Sequence, residues 1–174
     1  PFDTDTAFVN ALLDSSYEYG FSNPDRAISF ADSALRISTE ISYNKGIAGA
    51  HGELGYAYRV KGNFEKAAGH WNKGISISRA MHDSLGWVSM INDLGSIYKS
   101  RNRYEPAIGL YFEALRLCRE MDLQRGVAVT LGNIGLSYFE MDRNDLALEY
   151  YMQALDKHKE LGNKRSLAKT YNNI

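Results

Sequence analysis

The sequence is poor in several things, and each shortage removes a class of protein. It has one cysteine, Cys118, so no internal disulfide can form. That fits a reducing compartment and favours a cytoplasmic location, with a periplasmic one open if the parent protein carries a signal peptide. Three prolines beside twelve tyrosines suit a stack of helices. No run approaches the roughly 18 apolar residues of a membrane span, so no membrane partner is expected within these residues. Pro1 is not preceded by a methionine, and no basic-then-apolar leader is present. The net charge is −1, without the basic footprint that phosphate binding needs, which argues against nucleic acid as partner. The charge is uneven: residues 1–43 carry seven acidic and two basic side chains, residues 44–174 fourteen and eighteen. A polar cap on one end of a stack accounts for this. End-to-end attraction between copies is the alternative, and added salt would weaken it.

Motifs for chemistry are also missing. None of His51, His70, His82 and His158 forms the paired-histidine helix of a zinc protease. His51 falls at a packing position and reads as a core histidine. His82 lies in a connection, and His158 near a helix end, where a partly charged imidazole suits the dipole. There is no phosphate-binding loop and no Gly-x-Ser-x-Gly elbow. Cys118 reads as a small buried residue late in a helix. No catalytic residue, cofactor or metal site is expected here, so the chain is not read as an enzyme; a domain outside it could be one.

What is present is a repeat. The stretch Ile91-x-x-Leu94-Gly95-x-x-Tyr98, then Ala107-x-x-x-Tyr111-x-x-Ala114, has the spacing of helical faces. Gly95 inside such a face costs about 1 kcal/mol relative to alanine, which points to close packing against a second helix. Gly55, Gly95 and Gly135 are forty residues apart, as are Tyr58, Tyr98 and Tyr138, Ala67, Ala107 and Ala147, and Trp71, Tyr111 and Tyr151. Ala27 extends the alanine series backward, but the tyrosine position there holds Glu18, between Tyr17 and Tyr19. A period of this size marks a solenoid whose units bury their apolar faces on one another.

These residues resemble the tetratricopeptide repeat, whose signature runs Trp-x2-Leu-Gly-x2-Tyr, Ala-x3-Phe, Pro. Leu54, Gly55, Tyr58, Ala67 and Trp71 match it, then Leu94, Gly95, Tyr98, Ala107 and Tyr111, then Ile134, Gly135, Tyr138, Ala147 and Tyr151. The departures are a 40-residue period rather than 34, His51, Ile91 and Leu131 at the tryptophan position, and no closing proline. The six extra residues are about one and two-thirds turns, which suggests longer helices rather than longer loops. The resemblance implies an all-α, right-handed superhelical solenoid of antiparallel helix pairs. It implies a function of noncovalent protein or peptide binding on a concave face lined by first helices. The long repeat is similar to arrays in bacterial signalling proteins, where it serves as sensor or adaptor before an output domain, and to eukaryotic peptide-binding scaffolds.

Taken in order, the chain divides into repeats over residues 6–41, 46–81, 86–121 and 126–161 of one solenoid, 1–174. Asp5 or Thr6 is expected to cap the first helix, Asn23 before Pro24 and Asn63 to start second helices, and Asp122 and Asn144 to cap later ones. Leu167, Tyr171 and Ile174 repeat Val127, Leu131 and Ile134, so residues 164–174 open a fifth unit, as if the sequence were an excerpt of a longer array. That helix would expose an apolar edge, making self-association the alternative function. In the third unit Trp87, Ile91, Leu94 and Tyr98 form the buried stripe. Ser89, Asn92, Asp93 and Ser96 lie opposite, with Lys99 at the margin. The matching face includes Glu53, Tyr56 and Arg59, then Asn133, Leu136 and Phe139, then Lys169, Asn172 and Asn173. Asparagine amides both donate and accept, so such a face can hold an extended peptide backbone.

Overall fold

The structure, a computed structural model, describes residues 2–162. Among them are eight α-helices and no strand: α1 Phe2–Tyr19, α2 Pro24–Glu40, α3 Asn44–Val60, α4 Phe64–Ala80, α5 Ser84–Ser100, α6 Tyr104–Glu120, α7 Gln124–Phe139 and α8 Asn144–Glu160. The fold is all-α, built from antiparallel helix pairs, because turns this short must reverse the chain. The forty-residue period is two helices of 17 residues and two turns of three, as in α3 and α4, so the length beyond 34 went into helix. The first helix begins at Phe2, ahead of both expected caps. The fifth-unit helix, with Leu167, Tyr171 and Ile174, lies outside the described residues.

The chain divides into two compact units between Asp93 and Leu94, within α5. In the first, α1 packs on α2, α2 on α3 and α3 on α4, and α1 also meets α3. In the second, α6 packs on α7 and α7 on α8.

The repeat glycines admit the partner helix. A Cβ on Gly55 would collide with the Trp71 indole, one on Gly95 would lie 2.7 Å from the Tyr111 ring, and one on Gly135 2.8 Å from Tyr151. Those rings are at most 2% exposed. They seat against bare backbone, and the Trp71 indole N–H donates to the Gly52 carbonyl at 3.1 Å. Ala67, Ala107 and Ala147 are buried on the second helices of the same pairs. Bulk is also exchanged between positions. Where the next unit has Ala114 and Thr130, this one has Gly74 and Met90, and the Met90 sulfur fills the space a Gly74 side chain would need.

The turns repeat at half the period. Ser42, Gly62, His82, Asn102, Asp122, Asp142 and Gly162 all have φ between +53° and +75°, one every twenty residues. In the first six, the next amide reaches back five residues, as Asn63 does to the Tyr58 carbonyl and Arg103 to Tyr98, the bond that closes a helix C-terminus through a left-handed residue. Asp122 and Asn144 are therefore not caps: Asp122 is the left-handed turn residue, and Asn144 lies inside α8 behind Arg143. Asn23 and Asn63 do cap, each accepting at 3.1 Å from the amide three residues on.

The first turn is the exception, and it corrects the register of the first unit. Asn23 N–H bonds the Tyr19 carbonyl only four residues back. Tyr19 precedes the cap Asn23 by four residues where Tyr58 precedes Asn63 by five, so Tyr19 rather than Glu18 is the counterpart of Tyr58. Tyr19 stacks on Phe30, as Tyr58 stacks on His70 and Tyr138 on Tyr150. Ser16 then takes the glycine position, fully buried and donating to the Ala27 carbonyl at 2.9 Å.

Two core histidines stand where other units are apolar or aromatic. His51 and His70 bring their Nδ1 atoms to 3.1 Å, one donating to the other, at the positions of Ile91 and Leu110 and of Leu131 and Tyr150. Burial, then His70 and Lys73, lowers His51 to about 4, and burial with Lys73 lowers His70 against the pull of Asp32. His158 is also buried, which lowers its pKa, so the expected charged imidazole at a helix end is instead a neutral core residue. Cys118 is fully buried, and Gly126 leaves room for its sulfur.

Two predictions follow from this packing. Gly95→Ala should lower stability by about 1–3 kcal/mol through overpacking. Gly109→Ala, exposed in mid-helix with nothing within 4 Å, should raise it by about 0.5–1 kcal/mol. Urea melts of the two variants check the contrast, and equal effects would refute the close-approach account. For His51, the unfolded ring takes a proton near 6.5 and the folded one only near 4, so stability is full above 6.5 and is lost as pH falls toward 4. His51→Leu should flatten that acid limb in a plot of Tm against pH.

Candidate functional site

A first helix packs on both flanks, so little of it is left free. On α5 the expected stripe is buried at Trp87, Ile91 and Leu94, but so are Val88, Met90 and Ile97. The remaining face is narrow. In the first unit it opens into a groove of about 460 Å³ between α1, α3 and α5. Asn10, Leu13 and Tyr17 line it from α1; Lys45, Gly49, Gly52, Glu53 and Tyr56 from α3; Ser89, Met90 and Asp93 from α5. Trp71 and Ser78 reach it from α4, with Asp83 and Gly86 at the α4–α5 turn.

Four of the residues proposed from sequence meet there: Glu53, Tyr56, Ser89 and Asp93. Arg59 is half-buried beside them, its guanidinium 4.7 Å over the Tyr56 ring and its Nε without a hydrogen-bond partner. Asn92 turns its amide back to the Val88 carbonyl at 3.0 Å, so it braces its own helix. In the second unit Ser96 Oγ lies 3.3 Å from Tyr111 OH, directed at α6. Lys99, Asn133 and Leu136 are half-buried and Phe139 is 52% exposed. Two hollows of that unit are lined from other faces, one by Phe112, Tyr150 and neighbours, one by Val127, Leu131 and neighbours, and neither contains these residues. Lys169, Asn172 and Asn173 lie outside the described residues.

Sequence reasoning missed the contribution of α1. With that one-residue offset allowed for, Asn10, Leu13, Asp14 and Tyr17 are equivalent to Gly49, Gly52, Glu53 and Tyr56. Asp14, Glu53 and Asp93 therefore hold one register position on three first helices. Reading Tyr19 as the partner of Tyr58 was the available signal.

This column of carboxylates sets the electrostatics. Burial, then Asp14 and Asp93, raises Glu53 to about 7. Burial raises Asp93 as well, with Arg59 pulling it back. Neither carboxylate has a hydrogen bond or ion pair among the described residues. A carboxyl poised near neutrality in a groove is a candidate for ligand contact. Its chemistry is to accept hydrogen bonds from a cation or a polar donor, with the Tyr56, Tyr17, Leu13 and Met90 walls taking apolar groups.

The linkage has a definite sign. Folded Glu53 takes its proton near 7 and the unfolded side chain near 4.5, so its contribution is full below 4.5 and lost as pH rises through 7. Glu53→Gln should raise the Tm at about pH 8 and remove that alkaline decline. An unchanged or lower Tm at that pH would contradict the unpaired, half-buried carboxylate.

The comparisons agree with this architecture. Models of the tetratricopeptide repeat match residues 91–124 and 127–161. No curated protein sequence matches the chain. Among solved structures it is similar to aspartyl phosphate phosphatase F from Bacillus subtilis, at 18% identity and a TM-score of 0.88 over 94% of this chain and 43% of that one. A signal transduction ATPase with numerous domains and a tetratricopeptide repeat sensor, from Pyrococcus horikoshii, is similar at 18% identity and TM-score 0.83, over 93% and 25%. So is a Rap protein complexed with competence and sporulation factor, at 17% and 0.83, over 93% and 46%. The chain spans less than half the length of each. At such identities these likenesses bear on fold, and the repeat itself is a protein-interaction module. The glycine and aromatic series, the helix pairs and the matches over 91–124 and 127–161 together make the chain similar to tetratricopeptide-repeat proteins.

Proposed function

We propose that the chain is a noncovalent recognition module that holds a protein or peptide segment against the free faces of its first helices, as the sensory or adaptor part of a larger signalling protein. The observation that carries this is the groove of the first unit, where three successive first helices present Tyr17, Tyr56, Ser89, Glu53 and Asp93 to one opening. An extended segment suits it: the groove is long enough to touch three helices, has apolar walls for side chains, and offers polar groups for a peptide backbone. The division into repeats at 6–41, 46–81, 86–121 and 126–161 belongs to this reading. So does the signalling role, which draws support from neighbours whose names include a phosphatase of aspartyl phosphate and an ATPase with a repeat sensor.

The test is selection of a displayed random peptide library on the immobilised chain, followed by titration of the enriched peptides. Saturable binding is expected. Replacing Tyr17, Tyr56 and Ser89 together by alanine should reduce it at least about tenfold, with helicity by circular dichroism unchanged. Undiminished affinity in that triple variant would defeat the proposal.

A further inference from the structure

We infer that the groove of the first unit selects a protein segment carrying a lysine or arginine, which the column Asp14, Glu53 and Asp93 receives; this rests on the peptide-binding reading above and specifies its ligand. Three observations converge on it. Successive first helices place a carboxylate at the same register position, and Glu53 is held between the other two with no partner of its own. The groove beside them measures about 460 Å³ and has apolar walls at Leu13, Tyr17, Tyr56 and Met90, matched to the methylene stem of a long basic side chain. Ser78, wholly buried, lines the same groove with a hydroxyl that has no hydrogen-bond partner in the protein. That group lies on α4, away from the column, and packs beside Gly86.

The charges around Glu53 favour a cation. Asp14 faces it from α1, Asp93 from α5, and Asp83 lies in the α4–α5 turn; against these stand Lys45 and Arg59 of α3. Arg59, engaged over the Tyr56 ring, offsets part of the charge at Asp93 and is not among the charges acting on Glu53. A guanidinium or ammonium entering the groove replaces the water that burial removed from Glu53, and a charge-assisted hydrogen bond there is roughly twice as strong as a neutral one. A segment with an acidic side chain at that point meets like charge and is disfavoured.

The experiment uses the whole chain and a phage-displayed library of random heptapeptides. Peptides enriched over the unselected library should carry an excess of lysine or arginine beside an apolar residue. A synthetic peptide from that set should bind at least about tenfold more weakly once its basic residue is replaced by glutamine. The Glu53→Gln, Asp93→Asn double variant should lose that preference while melting no lower than the parent chain. Binding should weaken between about pH 8 and about pH 6 as Glu53 takes up its proton. Enrichment without a basic excess, or a double variant that keeps the preference, would overturn the inference and leave the peptide-binding reading standing. No enrichment of any peptide would overturn both.

Discussion

Everything in each helix pair hangs on how closely two backbones approach. Trp71, Tyr111 and Tyr151 lie on their partner helices at positions where the facing residue has no side chain. A large ring then contacts backbone along its whole face and is removed from water almost completely. This burial is the main stabilising term available to a chain with no disulfide and few long apolar runs. It also fixes the pair's register, since only Gly55, Gly95 and Gly135 can receive the rings. Gly74 shows the same constraint running the other way, with the glycine now on a second helix and the bulk supplied by Met90.

Two-sided packing has a consequence for the surface. Second helices keep broad solvated faces, whereas a first helix such as α5 is buried at Val88 and Met90 as well as along its stripe at Ile91 and Leu94. What remains free is a strip roughly one residue wide per turn. Because the helices stack in register, the same strip position recurs beside itself, and one residue choice repeated per unit becomes a column. Asp14, Glu53 and Asp93 form such a column, and the groove is where it opens.

Helix type and pairing were legible because close approach calls for a small residue at fixed places, glycine or alanine in most units, with an aromatic ring opposite in three of them. The turns were not, because a left-handed backbone is reached by Ser42, His82, Asn102 and Asp122 as well as by Gly62, and no single residue type marks it. That is also why Asp122 looked like a cap. The first unit was misread by one residue because Tyr19 lies one residue closer to its cap than Tyr58 does, a difference visible in the Asn23–Tyr19 bond and invisible in a forty-residue ruler. The α1 side of the groove was lost with that slip, since Asn10, Leu13 and Tyr17 fall on the strip only once the register is corrected. His158 does lie in the last turn of α8, as its sequence position suggests, but a place near a helix end says nothing of burial.

The carboxylate column answers no demand of folding. The same register position in the next first helix is Asn133, half-buried like Glu53 and Asp93, so packing there accepts an uncharged amide of nearly the same shape as aspartate. Burial raises the pKa of both Glu53 and Asp93, and like charges lie beside Glu53, so the ionised column opposes the fold near neutral pH. Arg59 offsets only the Asp93 end of it. A group of charges that packing does not require and that stability disfavours is a candidate for ligand contact. The sign of the charge then says what that ligand brings with it.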